Sequence, residues 1–192
     1  MRETRYFARI RDLFGAVVAT KKNRARCPLL DGIDRVASLI ESRRRKGGKV
    51  FLIGNGGSAS IASHIAVDFW KNGGVQAMAF NDSSLLTCVG NDYGYPFVFE
   101  KPLEMFARKG DVLIAISSSG KSENILRGAA SASRRGIHVI TCSGFRVDNP
   151  LRTAGEWNFY VPSDSYGHTE ILHLSICHAI VDEIIARQKK GK

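Results

Sequence analysis

Phe7, Ile10, Leu13, Phe14, Val17 and Val18 recur every three or four residues, the period of one face of an α-helix. Ile33, Val36, Ala37, Leu39 and Ile40 repeat that period before Gly47-Gly48, a pair that stops a helix. The spacing predicts two amphipathic helices within residues 1–48, each with a face to bury against the body of the chain or against another subunit. After Gly48 the pattern changes. Residues 49–53 form a short unbroken apolar run, suited to a strand covered on both sides. Similar runs fall at residues 75–80, 112–116, 138–142 and 157–161, and helical stretches at 58–71, 97–108, 122–135 and 169–188. Strands alternating with helices define an α/β domain, doubly wound on a mainly parallel five-stranded sheet. All 192 residues fit one domain, with 1–48 as a helical segment and 49–192 as the α/β body.

Composition narrows the reading. At 44% hydrophobic the chain can bury a core, yet no apolar run approaches the ~20 residues of a membrane span. The apolar stretch 13–19 is short, follows Asp12 and lacks the layout of a secretion signal. A cytoplasmic protein is expected. Cys27, Cys88, Cys142 and Cys177 show neither CxxC nor finger spacing, so free thiols are expected, three of them in apolar surroundings. The net charge of +10 is uneven. Fourteen of the 28 basic and five of the 18 acidic residues lie in residues 1–50, a net +9, against +1 for the remainder. Such a segment can meet an anionic partner or form a solvated helix face; no helix-turn-helix pattern argues for DNA, and no nucleic-acid partner is expected.

In a parallel α/β sheet, ligands bind beyond the carboxyl ends of the strands. Gly54-Asn55-Gly56-Gly57-Ser58-Ala59 follows the first of these strands. Its glycines permit a tight turn, and Ser58 is a candidate helix cap. The segment fits the loose dinucleotide pattern, for which Asp82 is a poor acidic partner. Ser117-Ser118-Ser119-Gly120-Lys121-Ser122 follows the third strand and opens a helix, an arrangement suited to a phosphate; a Walker loop is excluded by spacing. His64 and Asp68 share a helix face, four residues apart. On the last helix, Glu170 and His178 are eight apart, about 80° around the axis. Two histidines and two carboxylates from two helices could hold a divalent ion, or could form a polar helix face.

Together these segments resemble the sugar isomerase (SIS) superfamily, and within it the sedoheptulose 7-phosphate (phosphoheptose) isomerases. The resemblance rests on Gly54–Ser58, on Cys88-Val89-Gly90-Asn91-Asp92-Tyr93-Gly94, on Gly110-Asp111-Val112-Leu113 leading to Ser117–Gly120, and on the Glu/His pattern of the last helix. It implies a flavodoxin-like homotetramer with active sites lined by neighbouring subunits and N-terminal helices serving assembly. It also implies substrate contacts from Asn55, Gly56, Gly57, Asp68, Asn91, Asp92, Ser117, Ser118, Ser119, Ser122 and Glu170. The resemblance places zinc, with manganese or iron as alternatives, on His64, Asp68, Glu170 and His178. Asp68 would be the catalytic base and His178 the partner acid/base in an aldose–ketose isomerisation through an enediolate, serving synthesis of surface-polysaccharide heptose. Two positions depart from the family pattern: Asp68 stands where Glu is usual, and Glu170 where Gln is usual. The changes could compensate, with Glu170 reaching where Asp68 cannot. The alternative is a non-catalytic SIS protein that binds a phosphosugar or a protein partner, as a replication-initiation factor of the superfamily does.

Overall fold

A computed structural model describes residues 2–190. Helix α1 (Arg2–Ala16) leads into strands β1 (Val18–Lys21) and β2 (Arg26–Cys27), then helix α2 (Leu29–Arg44). The body runs β3 (Val50–Gly54), α3 (Gly57–Lys71), β4 (Ala77–Ala79), α4 (Ser83–Asp92), α5 (Glu100–Phe106), β5 (Val112–Ser117), α6 (Glu123–Arg134), β6 (His138–Ser143), β7 (Trp157–Tyr160) and α7 (Tyr166–Lys190). The strands lie in the order β2-β1-β7-β6-β5-β3-β4. From β7 to β4 the sheet is parallel, with Val50 beside Val112 and Val112 beside His138. These are the five expected strands.

Two further strands make the sheet seven-stranded. Val18–Lys21 pairs antiparallel with β7, Val18 opposite Tyr160, and Arg26-Cys27 pairs with β1. The helical period of residues 7–18 ran across this boundary and hid it. Val17, Val18 and Thr20 are β-branched and favour a strand, and the open edge of β7 supplies the hydrogen-bond partners that a continuing helix would forgo. A second helix also escaped the pattern. Helix α4 fully buries no residue, and Leu85, Leu86 and Val89, partly buried against the second core, make a stripe too short for periodicity to detect. Asp82 caps it, accepting the Leu85 N–H at 3.0 Å; this is a structural task for the residue weighed as a ribose partner.

The sheet separates two cores. On one face α2, α3 and α7 pack through Ile33, Val36, Ile40, Ile61, Ile65, Phe69, Leu172, Ile176 and Ile180. On the other, α5 and α6 cover Phe51, Ile53, Leu113 and Val139 through Leu103, Ile125 and Ala129. The α2 stripe is therefore buried within the chain, against α7, and not left for assembly. Glu41 reinforces this seam. Two hydrogen bonds from Arg44 hold its carboxylate below the usual range, and Gln188 of α7 reaches the same group. In contrast, α1 leaves Phe7 and Phe14 exposed. Cys142 and Cys177 are buried free thiols, Cys27 is half-buried, and Cys88 lies exposed beside Asp92.

The chain leaves β3 for the edge strand β4 and then returns to β5 on the other side of β3. That reversal opens a crevice between the carboxyl ends of β3 and β5.

Candidate active site

The loops after β3 and β5 meet at this crevice. Asn55, Gly56, Gly57 and Ser58 from the first, with Ser117, Ser118, Ser119 and Ser122 from the second, line a cavity of about 250 Å³. Tyr166 and Glu170 at the start of α7 close it. The two loops are tied together: Asn55 and Asn124 exchange side-chain amide hydrogen bonds of 2.9 Å in both directions, and Tyr95 donates to Asn55 at 3.0 Å. Neither cap residue, Gly56 for α3 nor Ser122 for α6, makes a side-chain cap bond. Two helix N-termini thus open beside the cavity with their positive dipole ends, and in α6 Asn124 Oδ1 accepts one first-turn N–H, that of Ile125, at 3.0 Å. Ser58 is a buried wall residue and not the expected cap.

The serine loop has hydrogen-bonding capacity to spare. Ser117 Oγ accepts the Gly120 N–H at 3.2 Å and Ser119 Oγ accepts that of Lys121 at 3.3 Å. The Ser118 hydroxyl is buried and has no partner. A buried hydroxyl without a hydrogen bond costs on the order of 1–3 kcal/mol, and a phosphate oxygen in the cavity would satisfy it. Gly120 permits the turn, with φ +63° and the Asn149 amide where a side chain would begin. Gly57 lets the Glu170 carboxylate pack directly on the backbone of the first loop.

A second cluster lies further along α3. Asp68 Oδ2 stands 3.4 Å from His64 Nε2 and 3.3 Å from His178 Nδ1, and the imidazoles meet edge to face at 5.2 Å. One ligand atom from each of the three lies within 4.8 Å of the others. Tetrahedral zinc with bonds of about 2.0–2.1 Å sets its ligand atoms roughly 3.3–3.4 Å apart, so both contacts to Asp68 match a shared ion. Asn72 donates to Asp68 Oδ1 at 3.0 Å, fixing the carboxylate with Oδ2 toward both rings. The donor set fits a divalent metal with positions left for water or substrate.

Glu170 stands outside this trio, its carboxylate packed against the backbone of Gly57. Eight residues of helix place Glu170 about 80° around the axis from His178 but also about 12 Å along it, and Glu170 ends on Gly57. The shorter Asp68 meets both histidines. Asn91 and Asp92 also stand apart. They bond to each other at 2.8 Å at the end of α4 and do not line the serine cavity. Sequence reading missed Tyr166, Tyr95 and Asn124. Asn124 lies two residues beyond Ser122, next to the serine segment, whereas no spacing pointed to either tyrosine.

Fold and site define a class: a doubly wound domain with a hydroxyl-lined crevice between its first two inner strands, and the SIS domain family model matches residues 5–144. The phosphoheptose isomerase of Akkermansia muciniphila is 34% identical over 165 residues, spanning 83% of this chain and 86% of its own length. That of Yersinia pestis is 35% identical over 161 residues, or 81% and 83%. The structure of the Neisseria gonorrhoeae phosphoheptose isomerase superposes with TM-score 0.83 at 30% identity, covering 95% of this chain and 97% of that one. The chain belongs to the phosphoheptose isomerase family of SIS-domain proteins.

Proposed function

We propose that this protein is an aldose–ketose isomerase that converts sedoheptulose 7-phosphate to D-glycero-D-manno-heptose 7-phosphate, supplying heptose for a surface polysaccharide. One observation carries the reading: a hydroxyl cradle with an unpartnered Ser118 lies at one end of α3, and a carboxylate flanked by two imidazoles lies further along it. Seven residues of helix from Gly57 to His64 rise about 10 Å, a span that an extended seven-carbon sugar phosphate bridges. The family's phosphoheptose substrates have that shape.

In this arrangement Ser118, Ser119 and Ser122 take the phosphate, supported by the N-terminus of α6. Asn55, held by Asn124 and Tyr95, and Glu170 face the sugar hydroxyls. At the far end Asp68 removes a proton from C1, next to the C2 carbonyl. The electron pair moves onto the carbonyl oxygen, giving a cis-enediolate. His178 transfers protons between the two oxygens, and return of a proton to C2 leaves the carbonyl on C1. No electrons leave the substrate. His64, Asp68 and His178 would hold a divalent ion, zinc by choice of donors and manganese or iron as alternatives, and such an ion would supply Lewis-acid polarisation of the carbonyl.

Assembly as a homotetramer fits the exposed Val67 and Trp70 that flank Asp68 on α3 and the exposed aromatic residues of α1. It would bring a neighbour's residues to the open side of the trio. No helix among the described residues is long and apolar enough to cross a membrane, and two buried free cysteines suit a reducing cytoplasm. The test is conversion of sedoheptulose 7-phosphate to an aldose, followed with Asp68→Asn beside the wild type. The expected result is a kcat lower by about 10²–10⁴-fold with phosphate binding intact. Wild-type protein that binds the sugar phosphate yet forms no aldose at any metal loading would refute the isomerase reading in favour of a binding protein.

A further inference from the structure

A second polar cavity lies away from the crevice, between the β1–β2 hairpin and the segment after β6. Its volume is about 350 Å³, within the range that holds a small organic ligand. Arg24, Arg26 and Arg152 line it with the hydroxyl residues Thr20 and Thr153. None of the three arginines forms a salt bridge among the described residues. The single carboxylate in the wall, Asp148, is held by Arg146 through two hydrogen bonds of 3.0 Å. Arg152 is fixed in place, its guanidinium 4.2 Å over the Tyr160 ring and bonded to the Val147 carbonyl at 2.6 Å. Burial lowers its pKa, and the charges of Arg26 and Arg24 act in the same direction.

Gathering three like charges is unfavourable unless an anion offsets them. The backbone adds a second observation. Arg24 adopts φ +64° in the hairpin turn, the left-handed conformation for which glycine or asparagine is the ordinary choice. A side chain kept there against steric preference points to a task for it.

We propose that this cavity is an anion site distinct from the isomerase crevice, binding the phosphate group of a small phosphorylated metabolite through Arg24, Arg26 and Arg152. Arginine forks match phosphate oxygens in pairs, and the two threonine hydroxyls can serve a third oxygen. The volume exceeds that of phosphate alone, leaving room for a sugar or nucleoside. Its floor adjoins the serine loop: the Leu151 N–H donates to the Gly120 carbonyl at 3.2 Å, and the Asn149 side chain packs on Gly120.

The probe is inorganic phosphate, titrated by calorimetry at low ionic strength into full-length protein carrying Ser118→Ala and Ser119→Ala, which weakens the crevice. An arginine-dependent site remains on this background. Adding Arg26→Gln and Arg152→Gln weakens it by about 10–100-fold, the loss expected for charge-assisted hydrogen bonds. Arg24→Gln with Arg26→Gln changes only exposed hairpin residues and guards against misfolding; it too weakens binding by at least about tenfold. Displacement by ADP at lower concentration than by ribose 5-phosphate identifies a nucleotide, and the reverse order a sugar phosphate. Phosphate affinity unchanged in both arginine pairs, or no phosphate binding on the serine background, overturns the proposal.

Discussion

His173 lies fully buried on α7, five residues before His178. Its Nε2 donates to the Ser143 carbonyl at 3.1 Å, while Nδ1 has no partner. Burial lowers its pKa from 6.5 to about 4, opposed only in part by the Ser143 bond. In the unfolded chain the ring titrates near 6.5, so between pH 6.5 and 4 the unfolded state binds a proton that the folded state refuses. Stability therefore falls as the pH drops through that window, is undiminished above 6.5, and loses nothing further from this group below 4. From these two pKa values, the loss between pH 7.5 and pH 5 is ~2 kcal/mol, a large share of a typical 5–15 kcal/mol total. Urea unfolding at both pH values, compared between wild type and His173→Leu, isolates the effect, because the variant carries every other titrating group. The wild-type advantage over the variant should shrink by ~2 kcal/mol toward pH 5. A difference that stays flat across the window would refute the burial argument, whatever the absolute stabilities.

Three further outcomes follow from particular contacts. Metal analysis of purified protein should find about one divalent ion per chain, lost in both His64→Ala and His178→Ala but retained in Glu170→Gln, since Glu170 stands outside the trio. Gly120→Ala should lower stability by about 2–3 kcal/mol, measured by thermal or urea unfolding, because its φ of +63° and the abutting Asn149 amide both oppose a methyl group. Gly57→Ala forces the Glu170 carboxylate off the first loop and should raise KM for the sugar phosphate. In combination with Glu170→Ala its effect should fall short of additive, and strict additivity would show that the two residues do not touch.

Much of this protein is readable from local pattern. The unbroken apolar runs mark parallel strands because such strands are covered on both faces, and β3, β5 and β6 are buried almost throughout. The glycine and serine segments mark the crevice because turns at strand ends demand special residues whatever surrounds them. His64 and Asp68 are paired by the helix that carries both. What depends on distant partners was hidden. Residues 18–21 become a strand because β7 offers an unpaired edge, and helix α4 offers only the short stripe Leu85, Leu86 and Val89 to announce it. Glu170 and His178 show the division most plainly. Helical periodicity reports angle around an axis and is silent on where the ends of two side chains arrive. Only the packing of α7 on α3 sends one to the serine-lined crevice and the other, about 12 Å along the helix, to Asp68.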